Sequence, residues 1–502
     1  AIPESVISDR VDVLLLKGIL TGMNGAASKA EDQLRAVAAR PMITRGQLAC
    51  AQTFLAALVQ WRPRPAASIV YADRALATID ALGDSPTPAQ LPDRDTLTTI
   101  AMIAKGRGHF LAGNLPEARR WLETALTTDG AGYSVWRISA LGSLALLDAW
   151  CGRTRRAVES ASEAFALARE MNNWHHPATA EAHLATSLAS LERAEHEHAA
   201  AAWSEGRIRA HANGRDLLSW VAFAEFGAFG AFDDFRASDQ VPGQPAGSPP
   251  PIVADFLLAK RSRDLRLHGS PDRAARLLNG DPVLTSSVLF EKAAAELTLG
   301  HLEAAQDLVR RFADVADALE PLARVRGLIL ASWCSATVGM DARADALLSE
   351  ALELAEDDGL VAVFVQAGPV TIRRIANLTD GLSPLIHDAV LENVSDRVDV
   401  FETGELADRL VDRLTDRELE LLTLLPTRLT NTELADRFVV SVNTIKTHMA
   451  HIYRKLDVVN RSDAIARAVH LGLLKQRWIP SGVPTSAGAT PAGAGARRTM
   501  RS

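Results

Sequence analysis

Apolar residues recur three and four positions apart from Asp9 to about Glu356, and Gly, Pro, Asn or Asp interrupts them every 15 to 20 residues. An α-helix turns once per 3.6 residues, so this spacing puts the apolar side chains of each run on one face. The interruptions end one helix and begin the next. The pattern predicts helices over residues 66–82, 95–112, 116–127, 135–150, 156–171, 178–194 and 197–212, arranged in pairs.

The second helix of several pairs opens alike. Gly113 leads through Ala118 to Trp121, Leu122 and Ala125, and Gly152 through Ala157 to Ala161, Ala164 and Ala168. Gly269 leads through Ala274 to Leu277, Gly300 through Ala304 to Leu308, and Gly339 through Ala344 to Leu347, Leu348 and Ala351. Successive glycines lie 39, 31 and 39 residues apart (113 to 152, 269 to 300, 300 to 339). A loose period of about 30 to 40 residues, with small residues where helices must approach closely, predicts stacked helical hairpins. The expectation is therefore an all-α chain, with a tetratricopeptide-like helical-hairpin solenoid over residues 1–238 and 252–392. The Trp, Tyr and Pro positions of the strict tetratricopeptide pattern are mostly absent, and an irregular helical bundle with alanine-rich interfaces is the other arrangement consistent with the pattern.

Between the two parts, residues 239–251 are rich in Gly, Pro and Ser and cannot hold a helix, which predicts a loop. The series Trp203, Trp220, Phe223, Phe226, Phe229 and Phe232 just before it reads first as core. A ligand or peptide site is the alternative there, since concave solenoid faces take extended partners. The apolar run from Gly359 to Pro369, followed by Ile372, Ile375 and Leu378, is expected to close the solenoid. A polar linker over residues 393–410 and a Gly/Ala/Pro-rich disordered tail over 479–502 bracket the last domain, residues 411–478.

That last domain contains the stretch with the most specific pattern. Over residues 441–455, Val442, Ile445, Met449, Ile452 and Leu456 form an apolar stripe, and Asn443, Lys446, Thr447, Ala450 and Arg454 fall on the opposite face. This second face mixes donors and acceptors for base edges, a small residue permitting close approach, and cations for phosphates. Thr415-Asp-Arg-Glu418 and Thr430-Asn-Thr-Glu433 fit the capping box, and Ser441 and Ser462 are suited to cap two further helices. Leu419, Leu422, Leu434, Ala435, Phe438, Ile445, Met449 and Ile452 can supply one compact core. Only three residues separate Phe438 from Val442, which forces a helix-turn-helix.

Charge supports the same division. The chain carries −7, yet residues 414–478 hold ten Lys/Arg against seven Asp/Glu, and the tail adds three Arg, leaving −13 on residues 1–413. An acidic body joined to a basic end implies that only the end meets a polyanion. Aromatic residues are only 5% of the chain, a balance that favours helices over sheets. No apolar run approaches the roughly 20 residues needed to cross a bilayer, and no basic-then-apolar leader opens the sequence, so a cytoplasmic, non-membrane protein is expected. Cys50, Cys151 and Cys334 sit singly in apolar helical patterns and read as small buried hydrophobes.

Leu414-Thr-Asp-Arg-Glu418, Glu433-Leu-Ala435, Val442-Asn-Thr-Ile-Lys-Thr-His448, Ile452-Tyr-Arg-Lys-Leu456 and Asn460-Arg461 together resemble the LuxR/GerE-type helix-turn-helix family over about 60 residues. The resemblance implies a four-helix DNA-binding domain in a bacterial transcription regulator that binds double-stranded promoter DNA, self-associates on paired half-sites and has RNA polymerase as a further candidate partner. It places Lys446, Thr447 and Ala450 at base edges and Asn443, Thr444, Arg454, Lys455 and Arg461 near phosphates. Arg428 and Asp457 stand where the family often has Gly, and an acid at 457 would weaken DNA affinity. The solenoid and the 359–369 segment also look like the region preceding this domain in the large ATP-dependent, MalT-like branch. No G-x-x-x-x-G-K-[ST] occurs in the sequence, so no cofactor is expected in this chain; ATP would belong to an upstream domain, if this branch member has one.

Other chemistries fit less well. His175, His176 and the Glu195-His196-Glu197-His198 run contain metal-ligand types, but consecutive helical residues point about 100° apart and rarely converge on one ion. No nucleophile pattern appears, so an enzyme is not expected. The resulting expectation is a transcriptional regulator whose solenoid senses an unknown ligand or protein and controls promoter binding. The alternative is an interaction scaffold whose helix-turn-helix no longer binds DNA.

Overall fold

A computed structural model describes residues 10–59, 64–83, 87, 91–132, 134–172, 176–212, 215–224, 245, 247–279, 285–315 and 320–378, and, further on, 418, 421–422, 424–425, 429–438, 440–455, 458, 461 and 464–465. The chain divides into two compact units, Ala1–Val394 and Ser395–Ser502. Among the described residues every regular element is helical.

The first unit begins with α1 (Val11–Met23), α2 (Ala27–Ala38), α3 (Arg45–Val59) and α4 (Pro65–Asp80). It continues with α5 (Arg94–Leu111), α6 (Leu115–Leu126), α7 (Ser134–Trp150), α8 (Thr154–Glu170), α9 (Ala180–Glu192), α10 (His196–Ala212) and α11 (Asp216–Ala222). The loop expected at 239–251 gives way one residue early, at Pro251, to α12 (Pro251–Leu267), followed by α13 (Pro271–Leu277), α14 (Ser286–Thr298), α15 (Leu302–Val315), α16 (Pro321–Thr337), α17 (Asp341–Glu356), α18 (Ala362–Ala367) and α19 (Pro369–Asn377). The helices expected between residues 66 and 212 all form, with ends displaced by no more than about two residues, the usual fraying of such boundaries. Most consecutive helices pack against one another, making the solenoid of hairpins that the period predicts.

One turn design explains the period. α5 ends where Gly113 takes the left-handed conformation at φ 86°, with its amide on Phe110 O and the next amide, of Asn114, reaching back to His109 O at 2.9 Å. This is a Schellman closure, and glycine occupies it without a Cβ penalty. Five residues later Ala118 is fully buried, and seven residues earlier Gly106 faces it; a Cβ on Gly106 would lie 2.7 Å from Leu122 Cγ. The same spacing recurs with Ser262, Gly269 and Ala274, and with Ser332, Gly339 and Ala344, where the serine hydroxyls donate to the alanine carbonyl oxygens at 3.3 and 2.7 Å.

The register corrects one expectation and shows one expected hairpin whose turn is built without a glycine. After Gly300 the alanine that meets the neighbouring helix is Ala305, fully buried, whereas Ala304 is exposed. Between α9 and α10 the left-handed position is held by Ala194, at φ 63°, with Glu195 N on Ser190 O and the fully buried Ala199 five residues on. The two helices were expected from their periodicity, but the Gly-then-Ala opening of the other hairpins is absent here.

The array does not run out into solvent at its second end. The apolar segment after Gly359 returns to the first part of the solenoid, where Val361 N donates to Glu192 O at 2.9 Å. Thr154 Oγ1 and Arg193 Nε both donate to Asp358 O. Nearby, Leu322 N donates to Cys151 O at 3.2 Å, and Trp150 lies 4.9 Å from Phe256, ring centre to ring centre. All three cysteines are buried, and burial pushes the thiols of Cys50 and Cys151 up to about 12.

Candidate nucleic-acid interface

In the second unit the described helices are α20 (Asn431–Phe438) and α21 (Val442–Lys455), with helical residues before them at 418, 421–422 and 424 and after them at 461 and 464–465. The capping box at α20 forms as its sequence predicts. Thr430 Oγ1 accepts the Glu433 amide at 3.3 Å, and Glu433 Oε2 accepts the Thr430 amide at 2.7 Å and its hydroxyl at 2.8 Å. Those donors hold the Glu433 carboxyl below the usual carboxylate range.

The turn that follows is closed by Val440 N donating to Ala435 O at 3.0 Å. Ser441 then caps α21: its Oγ accepts the Thr444 amide at 3.1 Å and shares a hydrogen bond with Thr444 Oγ1 at 2.8 Å. Ile445, Met449 and Ile452 are buried with Leu421, Leu422, Leu425, Leu434 and Phe438. This core fixes which way α21 faces. Leu456 and Leu419, expected in the same core, and Thr415, Arg428, Asp457 and Ser462 lie outside the described residues.

With the apolar stripe turned inward, Lys446, Thr447 and Ala450 are exposed together one turn apart, and Thr444 is half-buried behind them. Asn443 and Arg454 stand on helical backbone of α21, and their side chains lie outside the described ones. The two remaining cations expected near phosphates point elsewhere. Lys455 Nζ donates to Glu418 Oε2 at 2.8 Å, and its side chain is only 11% exposed. Arg461 Nε and Nη2 donate to Leu425 O at 3.0 and 2.7 Å, and Nη1 to Leu429 O at 2.7 Å. Arg461 thus supplies donors to two backbone carbonyl groups that precede α20.

Glu418 was legible in the sequence only as half of a capping box. In the structure it is 2% exposed and also has His451 Nδ1 at 3.6 Å. Its spacing from Leu421, Leu422 and Leu425 already puts it on the core-facing side of the first helix, which is the signal for a buried, paired acid.

Residues 412–468 match the family described as bacterial regulatory proteins, luxR family (GerE). They form a LuxR-family helix-turn-helix domain. Such a LuxR-family domain belongs to transcription regulation and DNA binding, and in this chain α21 stands second in its helix-turn-helix pair. Among solved structures, the chain is similar to a Rap protein complexed with competence and sporulation factor, at 12% identity, 79% coverage of this chain, 98% of that chain and a TM-score of 0.36. It is also similar to the apo form of RapI, at 14% identity, 78% and 98% coverage and a TM-score of 0.31.

The helical-repeat unit keeps its conspicuous side chains inside. Trp220 is buried edge-on to Phe223, and Trp203 Nε1 donates to Ala222 O at 2.8 Å, so these aromatics are core; Phe226, Phe229 and Phe232 lie outside the described residues. His176 Nδ1 accepts the Ala178 amide at 3.1 Å, and no group of three or more His, Cys, Asp or Glu among the described residues is placed to hold a metal ion. No described helix is long and apolar enough to cross a membrane.

Charge is buried here as well. Arg107 bonds Glu181, Ser139 and Ser143, and Glu291 takes both Arg263 and Arg266. Burial alone would raise the Glu291 carboxyl, but Arg266 and Arg263 hold it below the usual range. Glu192 has the opposite balance: burial raises it, and the nearby Arg326 and Arg263 only partly oppose that.

Proposed function

We propose that this chain is a sequence-specific DNA-binding transcriptional regulator that reads promoter DNA with the exposed Lys446–Thr447–Ala450 face of α21. The carrying observation is the opposition on one helix: Ile445, Met449 and Ile452 are locked in the core, which leaves this short polar face outward behind a Ser441 cap. A lysine and a threonine supply hydrogen-bonding groups for base edges, and an alanine between them lets the helix lie deep in the major groove. Asn443 and Arg454 are assigned to the flanking phosphates, and two copies to paired half-sites. The helical-repeat unit is the region that receives a ligand or protein partner and governs this binding. Its acidic charge favours a partner other than nucleic acid. The same resemblance supports a place in the large MalT-like branch.

The test is a gel-shift of the full chain on duplexes it selects from a random-sequence pool, repeated across salt concentrations. Binding should weaken steeply as salt rises, through loss of counterion release. Lys446→Ala should lower affinity by about 1 to 3 kcal/mol and relax sequence preference. Arg454→Ala should weaken all duplexes alike. A chain that selects no duplex would leave the interaction-scaffold reading in place.

A further inference from the structure

Lys455 lies in the last turn of α21, where a cation on the reading helix would ordinarily be taken for a phosphate contact. The structure assigns it a different task. We propose that Lys455 and Glu418 form a clamp that positions α21 for base reading, so that Lys455 acts on DNA affinity through Glu418 and not through a phosphate. The inference rests on the DNA-binding reading above.

Three observations carry it. First, Glu418 is a buried acid, and a buried carboxylate without a cation is strongly unfavourable, so the Lys455 ammonium at 2.8 Å is held where it is. Second, the lysine side chain is itself mostly covered, and releasing it to reach DNA would take from that acid its 2.8 Å ammonium partner. Third, the same short segment is tied at its other end, where Arg461 binds the Leu425 and Leu429 carbonyl oxygens. The residues that precede α20 are therefore held at 418 by α21 and at 425 and 429 by Arg461, which follows α21. Neither cation is turned towards a ligand outside the domain.

Geometry shows why the clamp matters for reading. Lys446 is nine residues before Lys455, about 13 Å along the helix at 1.5 Å per residue. A tilt of about 10° about the clamped end would move Lys446 by about 2 Å along the groove. Hydrogen bonds to base edges do not survive such a displacement. A loosened clamp would thus lose sequence discrimination before it lost attraction to the phosphate backbone.

The experiment uses the full chain, a duplex selected by it from a random 20-base-pair pool, and a scrambled duplex of equal length. Affinity is measured across salt for Lys455→Met, Glu418→Gln, the double variant Glu418→Gln/Lys455→Gln and Lys455→Arg. The clamp predicts that Lys455→Met and Glu418→Gln each lower the ratio of selected to scrambled affinity at least tenfold. It also predicts that adding a Lys455 substitution to Glu418→Gln costs little more, that the salt slope stays at the wild-type value, and that Lys455→Arg restores discrimination. A phosphate contact predicts instead equal losses on both duplexes and a slope smaller by about 0.9, with the same loss in the Glu418→Gln background; that result overturns the clamp. Should a single variant fold poorly, the double variant carries no unpaired buried charge, and its slope alone decides. A wild-type chain that selects no duplex overturns the DNA-reading proposal itself, a different outcome from a lowered slope.

Discussion

Asp358 Oδ1 accepts the backbone N–H of Arg155 at 3.1 Å, so the first turn of α8 is capped by a side chain that follows it by 203 residues. The carbonyl oxygen of the same aspartate takes Thr154 Oγ1–H and Arg193 Nε–H, and three residues later Val361 N–H meets Glu192 O. One turn of chain therefore joins the two parts of the solenoid.

Removing that cap should loosen the joint. Asp358→Ala is expected to destabilise the helical-repeat unit by about 1 kcal/mol, and Asp358→Asn by much less, because asparagine caps nearly as well. Urea denaturation followed by far-ultraviolet circular dichroism measures both. Equal stability of Asp358→Ala and wild type would show that the joint holds without its cap.

A second prediction concerns Ala194. An L-residue in the left-handed region is strained by roughly 1 to 2 kcal/mol, and glycine relieves the strain while adding freedom to the unfolded chain. Ala194→Gly should raise stability by up to about 1 kcal/mol in the same denaturation experiment. The reverse change at Gly152 should be clearly destabilising, because φ is 80° and an added Cβ would meet Leu322 Cβ at 2.6 Å.

These two positions show where the sequence is legible and where it stops. The hairpins were readable because Gly113, Gly152, Gly269 and Gly339 mark the turn and Ala118, Ala157, Ala274 and Ala344 mark the crossing, both dictated by local sterics. At Ala194 the two flanking helices were readable from their periodicity but the turn was not, because its geometry persists without the glycine that announces the others. The joint at Asp358 left no mark at all, since a cap supplied from 203 residues away has no spacing to read. In the DNA-binding domain the stripe of Ile445, Met449 and Ile452 and the Ser441 cap followed from period and chemistry. The direction of Lys455 and Arg461 did not, because a long cation on a helix end is compatible with solvent, DNA or a buried acid until its neighbours in space are known.

Glu192 gives a pH dependence. It is buried, its carboxylate Oε2 makes no hydrogen bond, and burial raises its folded-state pKa, against the opposing pull of Arg326 and Arg263. The folded protein thus holds this proton more tightly than the unfolded chain. Its penalty is absent below the unfolded carboxylate pKa and grows as pH rises towards the raised folded value, above which it is complete. Glu192→Gln should therefore raise the thermal midpoint at pH 7, with the difference shrinking towards pH 4. A stabilisation independent of pH would point to packing instead of charge.

Arg461 offers a test in the smaller unit. Its guanidinium makes a planar fork to two carbonyl oxygens, which the single ammonium of lysine cannot reproduce. Arg461→Lys is expected to lose about 1 to 2 kcal/mol of stability in that unit, since buried carbonyl groups lose their donors. Hydrogen exchange of the α21 amides measures it.

The turn at Asp358 also sets a rule for how this chain can change length. A row of stacked hairpins that ends freely can gain or lose one, because each unit touches only its neighbours. Here residues 154 and 358 must meet, so the number of hairpins between them is fixed by closure. Insertion or deletion of a whole unit inside that interval would separate Asp358 from α8.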